Sequence, residues 1–146
     1  MRRDRRVENP GTEKTALALQ AYQIFTDNVL EISLLNLATG AYRVIKRDAR
    51  LLGADLEKEE DFVNYCDRLV NEKIVHEEDA DLFLEQTDLE ALRSVLYHAT
   101  APEFYRYREN VSGQYIWITT EVLPCRGCCA QNPWATVLVR NDAQAD

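Results

Sequence analysis

The chain has 146 residues, is 46% hydrophobic and 29% charged, and carries a formal net charge of −8, which is one domain's worth of ordinary globular protein with enough apolar residues to bury a core. Arg2, Arg3, Arg5 and Arg6 against Asp4 put +3 on the first six residues and −11 on residues 7–146, so the acidic body is expected to repel phosphate and to bind no nucleic acid. No apolar run approaches a membrane span and no apolar core follows the arginines, so neither a span nor a secretory signal is expected and the protein reads as cytoplasmic.

Residues 1–11 read as a disordered basic tail closed by Pro10-Gly11. Thr12 can cap a helix over residues 12–26, in which Leu17, Ala21 and Ile24 form one apolar stripe; with few charges after Lys14, it reads as a flanking helix that docks on something. Asp27-Asn28 ends it. Val29 to Leu37 then reads as a strand, the Ala38-Thr39-Gly40 turn closes it, and Ala41 to Ile45 answers it.

After Gly53 the apolar period changes from two to about 3.6 residues. Glu57 to Lys73 reads as a helix with Phe62, Cys66, Leu69 and Val70 on one face, which makes Cys66 a small core residue. Asp79 or a neighbouring acid starts a short helix carrying Leu82 and Phe83, and Thr87 with Glu90 reads as a capping box for a helix containing Leu89, Leu92, Val95 and Leu96.

The most strongly patterned stretch is residues 102–124, two long arms joined at Ser112-Gly113. Ile116, Ile118, Thr120 and Val122 fall on one face of the second arm and Tyr115, Trp117, Thr119 and Glu121 on the other. The outer face, with Tyr115, Trp117 and residues such as Tyr105 or Tyr107, is too large to leave wet, so it is expected to meet the Leu17/Ala21/Ile24 stripe or a second copy of the chain. A final strand runs from Trp134 to Arg140, and residues 141–146 are a polar tail. Helices separate two runs of strands, so the expected fold is α+β: residues 27–140 as one five-stranded antiparallel sheet with helices on one face, plus the N-terminal flanking helix.

Three stretches carry a family likeness: Leu35 to Arg43 with its Thr39-Gly40 turn; Ile74-Val75-His76-Glu77-Glu78-Asp79; and Phe104-Tyr105-Arg106-Tyr107 together with Gly113-Gln114-Tyr115-Ile116-Trp117. On these residues the chain resembles a PAS domain with its C-terminal PAC portion, over roughly residues 27–140. Many members have His-Pro-Glu-Asp where this chain has His76-Glu77-Glu78-Asp79, and the photochemical Asn-Cys-Arg-Phe-Leu motif of flavin-binding members does not occur. The resemblance implies a non-enzymatic sensory and dimerisation module of a larger bacterial regulator. Its output domain, of the diguanylate cyclase or histidine kinase kind, would be covalently attached and lie outside this chain. The implied assembly is a homodimer, and the implied binding volume lies between helices and sheet.

That volume is expected to be lined by Phe62, Leu69, Phe83, Leu92, Ile116 and Ile118, apolar walls that suit a small-molecule pocket or a filled core, with the filled core favoured. No cofactor signature is evident. Cys125, Cys128 and Cys129 make half of a zinc-site pattern without the other half, and read as a turn. The alternative in another class is a small α+β enzyme or ligand carrier with a helix-on-sheet cleft, using His76, Asp79 or the cysteines as reactive groups.

Overall fold

The computed structural model describes residues 28–51 and 59–142. The basic tail, the flanking helix with Leu17, Ala21 and Ile24, and residues 143–146 lie outside the described residues.

The strands are β1 (Val29–Asn36), β2 (Ala41–Arg47), β3 (Glu59–Asp61), β4 (Glu103–Val111), β5 (Gln114–Pro124) and β6 (Trp134–Asn141). Between β3 and β4 come α1 (Phe62–Asn71), a 3-10 turn (Glu77–Asp79), α2 (Ala80–Gln86) and α3 (Leu89–Leu96). The sheet is antiparallel throughout, in the order β3-β2-β1-β6-β5-β4.

The sheet therefore has six strands and not the expected five. The extra one comes from residues assigned in sequence to the start of a helix. Asp61 sits in extended backbone at φ −79 and ψ 128, and its carboxylate accepts the Asn64 N–H at 3.0 Å, so the helix begins at Phe62. The three residues before it are left extended and pair with the free edge of β2, Tyr42 opposite Glu60. A run of three acids carries no apolar alternation, so nothing local marks it as a strand.

The hairpin turns form where expected. Gly40 adopts φ 82, with its N–H on the Asn36 carbonyl at 2.7 Å, while the Asn36 side chain accepts from Ala38 and Thr39. Ser112 and Gly113 both have positive φ, 55 and 89, the pair of left-handed residues that a two-residue hairpin needs. One cap differs. Thr87 does not start α3; its hydroxyl donates to the Phe83 carbonyl at 2.8 Å and closes α2, while Asp88 caps α3 by accepting from Ala91 at 3.0 Å.

α1 buries Phe62, Tyr65, Cys66 and Leu69, α2 buries Phe83, and α3 buries Leu92 and Leu96, all against one face of the sheet. That face presents Leu35, Tyr42, Val44, Ile118, Val122 and Val137. On the opposite face Ile32 and Leu138, directly opposed across β1 and β6, are also fully buried, so the centre of the sheet is shielded on both sides.

Candidate functional site

Alternation along β1 puts Glu31 and Ser33 in phase with Leu35, on the face under the helices. Glu31 is 2% exposed. A carboxylate there must be met by donors. It accepts from the Tyr42 hydroxyl at 2.5 Å, from Ser33 Oγ at 2.9 Å and from the Tyr65 hydroxyl at 3.5 Å, and Arg47 Nε lies 3.9 Å from its Oε1. Burial pushes the Glu31 carboxyl above the usual carboxylate range, and the Tyr42 and Ser33 hydrogen bonds with the Arg47 charge pull it back. The Tyr42 and Tyr65 rings stack at 4.8 Å, which fixes both hydroxyls near the same carboxylate.

On β4 the inward phase is Tyr105, Tyr107, Glu109 and Val111. Tyr107 and Thr120 bond to each other at 2.8 Å. Glu109 is 4% exposed, with Glu31 and Arg47 as the charges acting on its carboxyl. Burial first, and the Glu31 charge second, push it up to about 8, with Arg47 opposing. The Tyr105 hydroxyl is buried without a partner among the described residues.

Glu31, Glu109 and Tyr105 share the wall of an interior cavity of about 20 Å³ between α1, α2 and the sheet. Every lining residue is buried. The volume suits one or two water-sized occupants. Tyr65, Thr87 and Thr120 supply further hydroxyls, and Val122, Val137 and Val139 form the apolar floor.

Of the residues singled out in sequence, Phe62, Leu69 and Phe83 line this cavity. Leu92 and Ile118 are buried in the surrounding core and Ile116 packs half-buried against it, all three off the cavity wall. The expectation of apolar walls misses the two carboxyls and the tyrosines. The available signal is phase: Glu31 and Glu109 each sit two residues from inward-facing neighbours.

Tyr105 and Tyr107, expected on the outer face, point inward; Phe104, Arg106 and Arg108 take the outer positions because β4 pairs with β5 through Tyr105 opposite Thr120 and Tyr107 opposite Ile118. On that outer face Trp117 is half-buried, with the Arg106 guanidinium 4.0 Å and the Arg108 guanidinium 4.9 Å from its ring centre. Tyr115 is exposed along its ring but anchored, donating to the Lys73 carbonyl at 2.6 Å and meeting the His76 ring edge-on.

The reactive candidates are held in structural roles. His76 Nδ1 accepts the Glu78 N–H at 3.0 Å and caps the 3-10 turn. Asp79 is gripped by Arg108. His98 donates its backbone N–H to the Cys128 carbonyl at 2.7 Å. Cys125, Cys128 and Cys129 are free thiols in a double turn. Cys128 is fully buried with its thiol pushed up to about 11 by desolvation, while Cys125 Sγ faces the Asn132 carbonyl and Cys129 Sγ the Gln131 side chain. Among the described residues no group of three or more His, Cys, Asp or Glu is placed to hold a metal ion, and no helix is long and apolar enough to cross a membrane.

Compared with known proteins, the sequence matches no protein-family model and no curated protein.

Proposed function

We propose that the chain is a sensory and dimerisation module of the PAS type, part of a larger cytoplasmic bacterial regulator, whose input is a small molecule taken into the interior cavity. The carrying observation is that the cavity wall includes Tyr105, whose hydroxyl is buried without a hydrogen-bond partner among the described residues, and the buried acid Glu109. A buried polar group without a hydrogen bond costs about 1–3 kcal/mol, so a core selected for packing alone would hold an apolar side chain in place of Tyr105. A cavity wall with convergent polar groups is what a ligand site requires.

The topology supplies a route outward. Arg108 precedes Glu109 on β4 and reaches the opposite face, where it ties Asp79 and Glu78 of the 3-10 turn and lies against Trp117. A change at Glu109 thus reaches the outer face through a single peptide bond. The aromatic surface that would meet a second copy is there, with Phe104 and Tyr115 exposed.

The test is light scattering at tens of micromolar, in sodium buffer, on the wild type and on Trp117→Ala, combined with a thermal-shift panel of small polar metabolites. The expected result is a dimer weakened by Trp117→Ala, and a melting temperature raised by at least one compound in the wild type. A monomer under every condition, with no compound shifting the melt, would overturn the proposal.

A further inference from the structure

The loop from β5 to β6 brings two thiols to the ends of one turn. The Cys128 N–H donates to the Cys125 carbonyl at 3.1 Å, the bond that closes a β-turn and holds its end Cα atoms within about 7 Å of each other. A disulfide bridges Cα separations of roughly 4.4–6.8 Å. The turn is pinned at both ends, with the Cys125 N–H on the Trp134 carbonyl at 2.9 Å and the Cys128 carbonyl taking the His98 N–H at 2.7 Å. Cys128 belongs to the buried core and Cys125 packs against it, so both side chains turn inward. The thiols meet there: beyond desolvation, Cys125 acts on the Cys128 thiol by charge and by a side-chain hydrogen bond. Cys129 is engaged elsewhere, its N–H on the Asn132 carbonyl and its Sγ directed at the Gln131 side chain.

We propose that Cys125 and Cys128 form a reversible disulfide under hydroperoxides, with half-exposed Cys125 as the attacking thiol and buried Cys128 as the resolving one. Exposure assigns the roles. The oxidant meets Cys125 from solvent, while Cys128, 0% exposed, needs only to reach its neighbour. In the first step the Cys125 thiolate attacks a peroxide oxygen. A sulfur–oxygen bond forms, the oxygen–oxygen bond breaks, and the departing alkoxide or hydroxide takes a proton. In the second, the Cys128 sulfur gives up its proton and displaces the hydroxyl from the Cys125 sulfenic acid as water, leaving the disulfide. Two thiols lose two electrons, and the hydroperoxide becomes an alcohol, or water, plus water. Burial holds the Cys128 thiol protonated, so closure is the slower step. None of the three cysteines of this loop lines the interior cavity, so the site stands apart from the ligand reading.

The experiment treats the whole reduced chain with a stoichiometric amount of hydrogen peroxide, followed by alkylation of the remaining thiols and peptide mass spectrometry. The wild type is expected to lose two hydrogens in mass and, after cleavage at Arg126, to give one pair of peptides joined through Cys125 and Cys128, which dithiothreitol separates. Cys129→Ser should form the same bond. Cys125→Ser, shown folded by circular dichroism, should form none and leave Cys128 reduced. Accumulation of sulfinic acid on Cys125 without a bond, a bond lost in Cys129→Ser, a bond still formed in Cys125→Ser, or a disulfide between two chains would overturn the proposal.

Discussion

Asp79 receives three hydrogen bonds from Arg108: the backbone N–H at 2.8 Å, Nε at 2.9 Å and a terminal guanidinium nitrogen at 3.0 Å. A single carboxylate thereby fastens the 3-10 turn to the exposed edge of β4. Neighbouring backbone bonds extend the seam, with His76 N–H on the Arg108 carbonyl at 2.9 Å and Asn110 N–H on the Ile74 carbonyl at 2.7 Å. The seam lies on either side of Glu109, so the residue that faces the cavity is held in place from outside the sheet.

Removing the carboxylate should loosen this edge. Asp79→Ala strips the Arg108 backbone N–H of its partner and is expected to cost about 2 kcal/mol, read as a lower urea midpoint at neutral pH. The Arg108 hydrogen bonds hold the Asp79 carboxyl below its ordinary range. Its contribution is therefore complete above the unfolded-state pKa and is lost as pH falls through the lower folded value. The gap between wild type and variant should narrow as pH falls below the ordinary aspartate range. A gap that persists unchanged there would show that the ion pair is not its source.

Glu109 has the opposite sign. Its folded pKa, pushed up to about 8, exceeds that of the unfolded chain, so the native state binds the extra proton and stability falls as pH rises through the interval between them. Glu109→Gln removes the titration and should be close to neutral at about pH 5 and stabilising by a few kcal/mol, roughly 4 at the upper bound, at about pH 9. Urea titrations of both proteins in sodium buffer at the two pH values measure it. Parallel pH profiles for the two would refute the assignment.

Much of this framework is legible in the chain itself. The β4–β5 hairpin follows from period-two alternation and a Ser112-Gly113 turn whose φ values are both positive, and the inward face of β5 is the one alternation picks. Which face of β4 turns inward is set by pairing across the turn. An arm carrying tyrosines and arginines in alternation does not itself say that Tyr105 and Tyr107 go inside. β3 was invisible for a related reason: Glu59 to Asp61 are extended because β2 has a free edge, which is tertiary context overriding local preference. The shift of the α3 cap from Thr87 to Asp88 is a choice between two adjacent capping residues, decided by the Phe83 carbonyl that takes the Thr87 hydroxyl. The cavity depends on burying two acids whose composition alone marks them as surface residues.

The thiols should divide into two classes. Cys66 and Cys128 are buried and desolvation raises both above the ordinary thiol range, while Cys125 and Cys129 are half-exposed. Reaction requires an accessible thiolate. With a disulfide reagent at about pH 8, Cys125 and Cys129 are expected to be modified quickly and the other two only on unfolding. Mass spectrometry of quenched samples reads the order, and early labelling of Cys66 would show that the core opens on the reagent's timescale.

Two turn glycines separate backbone strain from crowding. Gly113 has φ 89 with open space where a Cβ would stand, so Gly113→Ala meets only the left-handed penalty, about 1 kcal/mol. Gly40 has φ 82, and a Cβ there would stand 3.1 Å from Asp61 Oδ1 and 3.3 Å from Leu89 Cδ2. The Asp61 side chain is the cap of α1, and the Gly40 carbonyl accepts the Phe62 N–H at 2.7 Å. Gly40→Ala therefore adds displacement of a helix cap to the same backbone penalty, and the total should reach about 2–3 kcal/mol. Urea midpoints of the two variants measured side by side decide it. Equal losses would mean that the Asp61 cap yields freely and that α1 is held by its buried face alone.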